Sequence, residues 1–168
     1  MRVFAAVICA LAFGVSALPA RAEDRASLDG DFDVCSPVNA PIVTSFFLDG
    51  CTSPFGICTQ GNIDSGPLAG KTRFAVESLL PGPLPELLLY GGMLVIETAN
   101  GTVNIKDKGV LNQQDGSFFE FDFIASGTRA FADATGTLFS DGVSTPTGFD
   151  GTISGQICGG PPPDPILD

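Results

Sequence analysis

The sequence predicts an all-β protein, a single small antiparallel barrel held together by disulfides. The 168 residues include 21 glycines and 13 prolines, spread along the chain. No stretch repeats apolar residues with the helical period over the roughly 10–12 residues that a typical helix needs. Several short segments instead alternate apolar and polar residues, as half-buried strands do. Together these patterns favour strands joined by turns.

Residues 1–22 have the parts of a secretory signal peptide. Arg2 precedes an apolar run at residues 3–18, and small residues lead to a cleavage point after Ala22. The run is shorter than the about 20 residues of a membrane-spanning helix, although an uncleaved anchor is the alternative. We therefore expect a secreted or periplasmic protein with no integral membrane segment after cleavage, and a barrel domain over residues 23–158.

Four cysteines belong to this domain, namely Cys35, Cys51, Cys58 and Cys158. An even number in an exported chain predicts disulfides, and four cysteines allow three pairings. We favour Cys51–Cys58, which closes a short loop, with Cys35–Cys158 joining the ends of the domain. The chain has no histidine and no second close cysteine pair, so we expect neither a metal site nor a cofactor.

The first half of the domain has weaker strand signals, in the segments DFDVCSP, PIVTSFFLDG and TRFAVESLL. The segment LLPGPLPELLLYGG follows them and indicates either a loop with exposed apolar residues or a segment that crosses a barrel mouth. Leucine-rich loops of this kind often mark contact sites. Tyr90, the only tyrosine, is therefore predicted to contact a ligand or partner. The alternative is that the leucines cap the core.

The clearest hairpin lies at residues 93–106. Two β-rich runs flank Asn100-Gly101, a pair that tolerates the positive φ of a tight two-residue turn. The segment FFEFDFIASG then alternates cleanly, with Phe119, Phe121 and Phe123 on one face. We expect these rings to line the core or a cavity wall and to contact a ligand.

The other face of the same segment carries Glu120 and Asp122. Two carboxylates two residues apart on a strand are most simply a solvated surface. An acid pair with a catalytic role is the alternative, and we predict no catalytic residue here.

The segment SGTRAFADATGTLFSDG, residues 126–142, is rich in turn residues, with Phe131 and Leu138 as apolar anchors. We interpret it as a connection between strands. Arg129 is its candidate ligand contact, since a guanidinium inside a cavity would pair with an anion.

The last strand signal, GFDGTISGQIC, places Gly151 and Gly155 on its apolar face. Glycine within a strand marks a bend or a close approach of backbones, which favours a closed barrel over a flat sheet. Residues 159–168, GGPPPDPILD, are predicted to be a proline-rich flexible tail.

The order LVIETANGTVNIKDKGVLNQQDGSF, SGTRAFADATGTL, GFDGTISGQIC resembles the strand pattern of small secreted bacterial β-barrels of uncharacterised function. That pattern is similar to the barrel of allene oxide cyclases and plant dirigent proteins, in which a segment G-T-G-x-F-x-G-A-x-G connects two strands. The resemblance covers residues 93–158. Phe131, Ala134 and Gly136 match the segment, while Arg129 and Asp133 replace two of its glycines.

This resemblance implies an eight-stranded barrel with a largely apolar interior. It carries over no activity, because the residues that act in cyclases and dirigent proteins have no matching positions here and fold alone does not establish function.

The net charge of −11 excludes nucleic acid as a partner, because binding it requires lysine and arginine to replace counterions. We expect a secreted barrel that binds a small apolar molecule or has a structural role. One alternative is an isomerase or cyclase, with Glu77 or Glu97 as the inward-facing acid. Another is a calcium-dependent extracellular protein that uses the acidic cluster at residues 29–33.

Overall fold

A computed structural model describes residues 34–160, and eight strands of this region close into an antiparallel barrel. Each strand pairs with its neighbours in sequence, and β1 pairs with β8 to complete the ring. The predicted all-β antiparallel barrel of about eight strands is confirmed. The strands are β1 (Cys35–Phe46), β2 (Cys58–Ile63), β3 (Gly70–Pro81), β4 (Leu87–Thr98), β5 (Gly101–Asn112), β6 (Ser117–Gly127), β7 (Thr135–Thr145) and β8 (Gly148–Cys158).

Three predicted segments lie outside the described residues: the signal peptide at 1–22, the acidic cluster at 29–33 and the tail from residue 161 onward. Within residues 34–160, no helix has both the length and the apolar character that crossing a membrane requires.

Both predicted disulfides are confirmed. Cys35–Cys158 joins the first residue of β1 to the last residue of β8, which face each other in the β1–β8 register. Cys51–Cys58 ties the loop at residues 47–57 to the start of β2. Two disulfides are compatible with an extracellular or periplasmic location.

One half of the barrel interior, which we call the closed half, is filled by aliphatic side chains. Ile96, Ile105 and Ile153 have no exposed surface and pack together there. A short 3₁₀ helix, Arg129–Phe131, follows β6 and adds Phe131, which is also fully buried in this cluster. The predicted role of Phe131 and Leu138 as apolar anchors is confirmed, since both have 0% exposure.

The hairpin of β4 and β5 is confirmed, but its turn lies one residue earlier than predicted. Thr98 pairs with Gly101, so Ala99 and Asn100 form the turn. The Thr98 hydroxyl accepts a hydrogen bond from the Asn100 N–H at 3.0 Å and stabilises it. Gly101 is required for a different reason: at φ 144°, a Cβ there would collide with the carbonyl of Thr128.

The leucine-rich segment is mostly strand. β3 runs to Pro81 and β4 starts at Leu87, so only residues 82–86 form a loop. Side chains alternate across this hairpin: Leu79 and Leu88 face the interior, whereas Leu80 and Leu89 are exposed. The expectation of a loop over this whole segment is therefore wrong, and a contact between its leucines and a ligand or partner stays a prediction.

The two inward-facing glycines of β8 allow close packing, as predicted. A Cβ on Gly151 would lie 3.0 Å from the Phe118 ring, and one on Gly155 would lie 3.0 Å from the Leu138 Cα. The absence of a side chain at these positions lets β8 lie close to β7 and leaves room for the Phe118 ring of β6.

Candidate functional site: a cavity with an acidic floor

The other half of the barrel, which we call the open half, encloses a cavity of about 390 Å³. It lies toward the end of the barrel where the loops at residues 47–57 and 82–86 connect the strands. A cavity of this size corresponds to roughly 13 waters, or to a small organic molecule. Most of its wall is apolar, formed by Ile42, Phe46, Phe47, Leu48, Ile57, Phe74, Val76, Leu79, Leu88, Leu94, Leu111, Phe118 and Phe149.

Polar groups converge at one place in this wall, from four adjacent strands. Tyr90 of β4, Asp107 of β5, Glu120 of β6 and Ser140 of β7 line the cavity. Asp122 of β6 has no exposed surface and faces Asp107 in the β5–β6 register. We call Asp107, Glu120 and Asp122 the carboxyl cluster, and the side of the cavity that it forms is the floor.

Hydrogen bonds connect the floor. The Tyr90 hydroxyl donates to Glu120 Oε1 at 2.6 Å, and the Ser140 hydroxyl donates to Asp122 Oδ2 at 2.8 Å. One oxygen of Asp107 lies within 4.8 Å of one oxygen of Glu120 and of Asp122, so a proton on one of these carboxyl groups reduces the repulsion among them. One oxygen each of Asp107 and Asp122 is buried without a hydrogen-bond partner.

Gly109 makes room for the position of Tyr90. The two residues face each other across β4 and β5, and a Cβ on Gly109 would lie 2.6 Å from the Tyr90 hydroxyl oxygen. Real Cβ atoms do not approach this closely, so any other residue at 109 would push the ring away. Gly109 thus leaves free the space beside the β5 backbone that the Tyr90 ring occupies.

Burial controls the protonation of the floor. It raises the pKa of Asp122 to about 6, against the hydrogen bond from Ser140 that lowers it. Burial is also the main cause that raises the pKa of Asp107 and of Glu120, and charge on the neighbouring carboxyl groups adds to both shifts. Burial and the charge of Glu120 raise the pKa of Tyr90, which therefore stays a hydrogen-bond donor.

The floor can therefore both give and take protons. A buried carboxylic acid that stays neutral near pH 7 donates a hydrogen bond, while an adjacent ionised one accepts it. Within residues 34–160, these three carboxyl groups also form the one set of acidic side chains close enough to share a cation, with one oxygen of each lying within 4.8 Å of the others.

The predicted faces of β6 are wrong. Phe119 and Phe123 are 48% and 41% exposed on the outer surface, whereas Asp122 is fully buried. The rings pack on one another instead, with the Phe121 and Phe123 centroids 4.4 Å apart. Alternation identifies which residues share a face but does not say which face is inside. As ligand contacts these three phenylalanines stay a prediction, but they lie outside the cavity.

A signal for the correct face was present in the sequence. Phe118 and Ile124 fall on the same face as the two acids, and both pack inside the barrel, where Phe118 lines the cavity and Ile124 contacts the core. Serine at position 140, on the partner strand, supplies the hydrogen bond that makes burial of Asp122 tolerable.

The remaining predicted site residues divide between the two ends of the barrel. Tyr90 lines the cavity, and its contact with a ligand or partner stays a prediction. Arg129 is exposed at the closed half, in a left-handed conformation with φ 54°, and does not line the cavity. The expectation that Glu77 or Glu97 faces inward is wrong, because both are exposed.

No protein-family model, no curated protein and no solved structure matches this chain.

Proposed function

We propose that this protein is exported and binds a small, largely apolar molecule inside its barrel. The observation that carries the proposal is the cavity of about 390 Å³ with an apolar wall. Eight-stranded barrels are just wide enough to hold one small ligand, and this one leaves that space unfilled in one half only. The signal-like residues 1–22 and the two disulfides support export.

The test compares a substitution that fills the cavity with the same substitution on the outer surface. Leu88→Trp enlarges a side chain that lines the cavity. Leu89→Trp makes the same change on the next residue, which is exposed on the outer surface. Decanol serves as a neutral apolar probe of suitable length, and its binding is measured by titration calorimetry.

We expect one decanol molecule to bind to the unchanged protein and to Leu89→Trp with similar affinity, and at least tenfold more weakly to Leu88→Trp. Saturable binding that Leu88→Trp leaves intact would place the ligand elsewhere. An unchanged protein that binds neither decanol nor a charged molecule with the same apolar chain, decylamine or decanoate, would refute the proposed function.

A second candidate function is an isomerase or cyclase acting within the same cavity. It is favoured by the convergence of Tyr90, Asp107 and Glu120 on one side of the cavity, since acid–base catalysis needs positioned donors and acceptors. The resemblance to allene oxide cyclase and dirigent barrels supports this candidate by analogy of fold alone.

The two candidates differ in what happens to the natural ligand. Native mass spectrometry of the protein from its own host would detect a bound molecule, which is then isolated and returned to the empty protein. A binding protein releases the same compound unchanged. An isomerase converts it to a compound of equal mass and different chromatographic retention.

A further inference from the structure

The carboxyl cluster has no positive charge beside it. The groups that face it from the packed strands are Tyr90 of β4 and Ser140 of β7, both neutral. Every lysine and arginine in the described residues is exposed, namely Lys71, Arg73, Lys106, Lys108 and Arg129. Buried carboxylates are normally paired with a cation or kept neutral by a proton. The floor therefore either holds protons or takes a positively charged ligand group in their place.

Two of its acceptors lack a partner. Asp107 is 4% exposed and Asp122 is 0% exposed, yet Oδ1 of each makes no hydrogen bond. A buried acceptor without a donor costs free energy that a ligand donor would recover. Asp107 and Glu120 line the cavity, so a ligand there can reach the cluster at these two residues. Asp122 is not a lining residue, but one of its oxygens lies within 4.8 Å of an oxygen of each.

A primary ammonium group matches this arrangement. It has three N–H donors and no acceptor, and the cluster offers three carboxyl oxygens that lie within 4.8 Å of one another. Hydrogen bonds between an ammonium and a carboxylate are charge-assisted and stronger than neutral ones. The apolar wall between the floor and the mouth suits an alkyl or aromatic body attached to such a group.

A metal ion fits the same site less well. Calcium takes about 6–8 oxygen ligands, and magnesium requires near-octahedral oxygen coordination. Beyond the cluster, only the hydroxyls of Tyr90 and Ser140 lie at the floor, and both already donate to the carboxyl groups. The other polar side chains of the wall are Thr44 of β1 and Thr59 of β2, which do not belong to the four strands that form the floor.

From these observations we infer that the ligand of the cavity is an apolar amine, whose ammonium group binds Asp107, Glu120 and Asp122 and whose apolar body fills the open half. This inference rests on the proposed function, because it identifies the polar end of the molecule that the cavity takes. It also explains why acidic residues lie in the wall of an otherwise apolar cavity.

Amine binding is expected to release protons. Burial raises the pKa of all three carboxyl groups, to about 6 for Asp122, and a bound cation favours their ionised forms. The pKa of Glu120 is raised to about 7, so the affinity for an amine should increase as the pH rises through about 6 and 7. An alkylamine has a pKa close to that of lysine, about 10, so its own charge stays constant there.

The experiment compares decylamine, decanol and decanoate, which share an apolar chain and differ in the charge of the polar end. At about pH 8 we expect decylamine to bind at least tenfold more tightly than decanol, and decanoate at least tenfold more weakly. At about pH 5 the preference for decylamine should fall to a few-fold. Glu120→Gln, and Asp107→Asn as a second variant, should reduce the preference for decylamine over decanol at about pH 8. Asp150→Asn, which removes an exposed carboxylate of β8, should leave this preference unchanged.

The outcomes separate this inference from the proposed function. If decanol binds and decylamine binds no more tightly, the cavity is a ligand site but the inference that its ligand is an amine is wrong. If none of the three probes binds, the proposed function itself is wrong. Decylamine binding that survives Leu88→Trp would be attraction to the acidic surface and would also refute the inference. Calcium chloride alone, if it binds the cluster and displaces decylamine competitively at micromolar concentration, would identify a metal site instead.

Discussion

The closed and open halves of the barrel are built from the same eight strands, but their interiors differ. In the closed half, Ile96, Ile105 and Ile153 pack with Phe131 in one fully buried cluster. In the open half, the corresponding positions carry Tyr90, Asp107 and Glu120 around a cavity. Because hydrophobic burial stabilises the fold while buried carboxyl groups cost free energy, the closed half stabilises a structure whose other half is available for a ligand.

The disulfides follow the same division, and their removal should have the largest effect. Cys35–Cys158 spans 123 residues, whereas Cys51–Cys58 spans 7. The chain-entropy relation predicts that replacing the first pair with alanine lowers the free energy of unfolding by about 4–5 kcal/mol, and the second by about 2–2.5 kcal/mol. Urea unfolding of the two double variants measures both losses. Equal losses would show that closing the ends of the barrel has no special role.

Truncating a side chain should cost more in the closed half than in the open half. Phe131→Ala removes a fully buried ring and is expected to lower the free energy of unfolding by about 3–4 kcal/mol. Leu88→Ala removes a side chain that already borders the cavity, with an expected loss of about 1 kcal/mol. The midpoints of chemical unfolding test this difference. Similar losses for both would mean that the open half is packed as tightly as the closed half.

The smallest expected effect is a change in how the free energy of unfolding depends on pH. The pKa of Asp122 is raised to about 6 by burial, so the folded protein holds a proton that the unfolded chain releases near pH 4. The stability that this group contributes is complete below pH 4 and is lost as the pH rises through about 6. Asp122→Asn, which keeps a partner for Ser140, should therefore reduce the loss of stability between about pH 5 and about pH 8 by on the order of 1–2 kcal/mol.

Thermal or urea unfolding at the two pH values measures this change, and Asp150→Asn is the matched control, since that carboxylate is exposed. An identical pH dependence in Asp122→Asn and the unchanged protein would mean that Asp122 is ionised in the folded state. In that case the floor would be more solvated than its burial indicates.

Local patterns predicted much of the closed half. Phe131 and Leu138 were identifiable as buried anchors because they are large apolar side chains in a segment of glycine, alanine and threonine, and such side chains are normally buried. The disulfides were predictable because two cysteines were close in sequence, and pairing them left the two ends of the domain for each other. Neither conclusion required knowledge of which side of any strand faces inward.

The cavity floor was not predictable in the same way. Tyr90, Asp107 and Glu120 come from three strands, and nothing near Asp107 in the sequence indicates that Glu120 lies beside it. Gly109 could be recognised as a glycine within a strand, but the ring that it accommodates is known only once β4 and β5 are paired. These groups come together through pairing of strands that are distant in the chain, and a single sequence does not show which strand positions pair.

By itself, the sequence determined that this chain forms strands joined by turns, and it favoured a closed barrel and one of the three possible cysteine pairings. Turn residues and period-two alternation act locally, so they can be read locally. The tertiary structure alone decided that Glu120 and Asp122 point inward and that Phe119 and Phe123 point outward. The physical reason is that a strand with a polar and an apolar face can be packed either way round. The orientation with the lower free energy depends on the side chains of the neighbouring strands, which here donate hydrogen bonds from the hydroxyls of Tyr90 and Ser140.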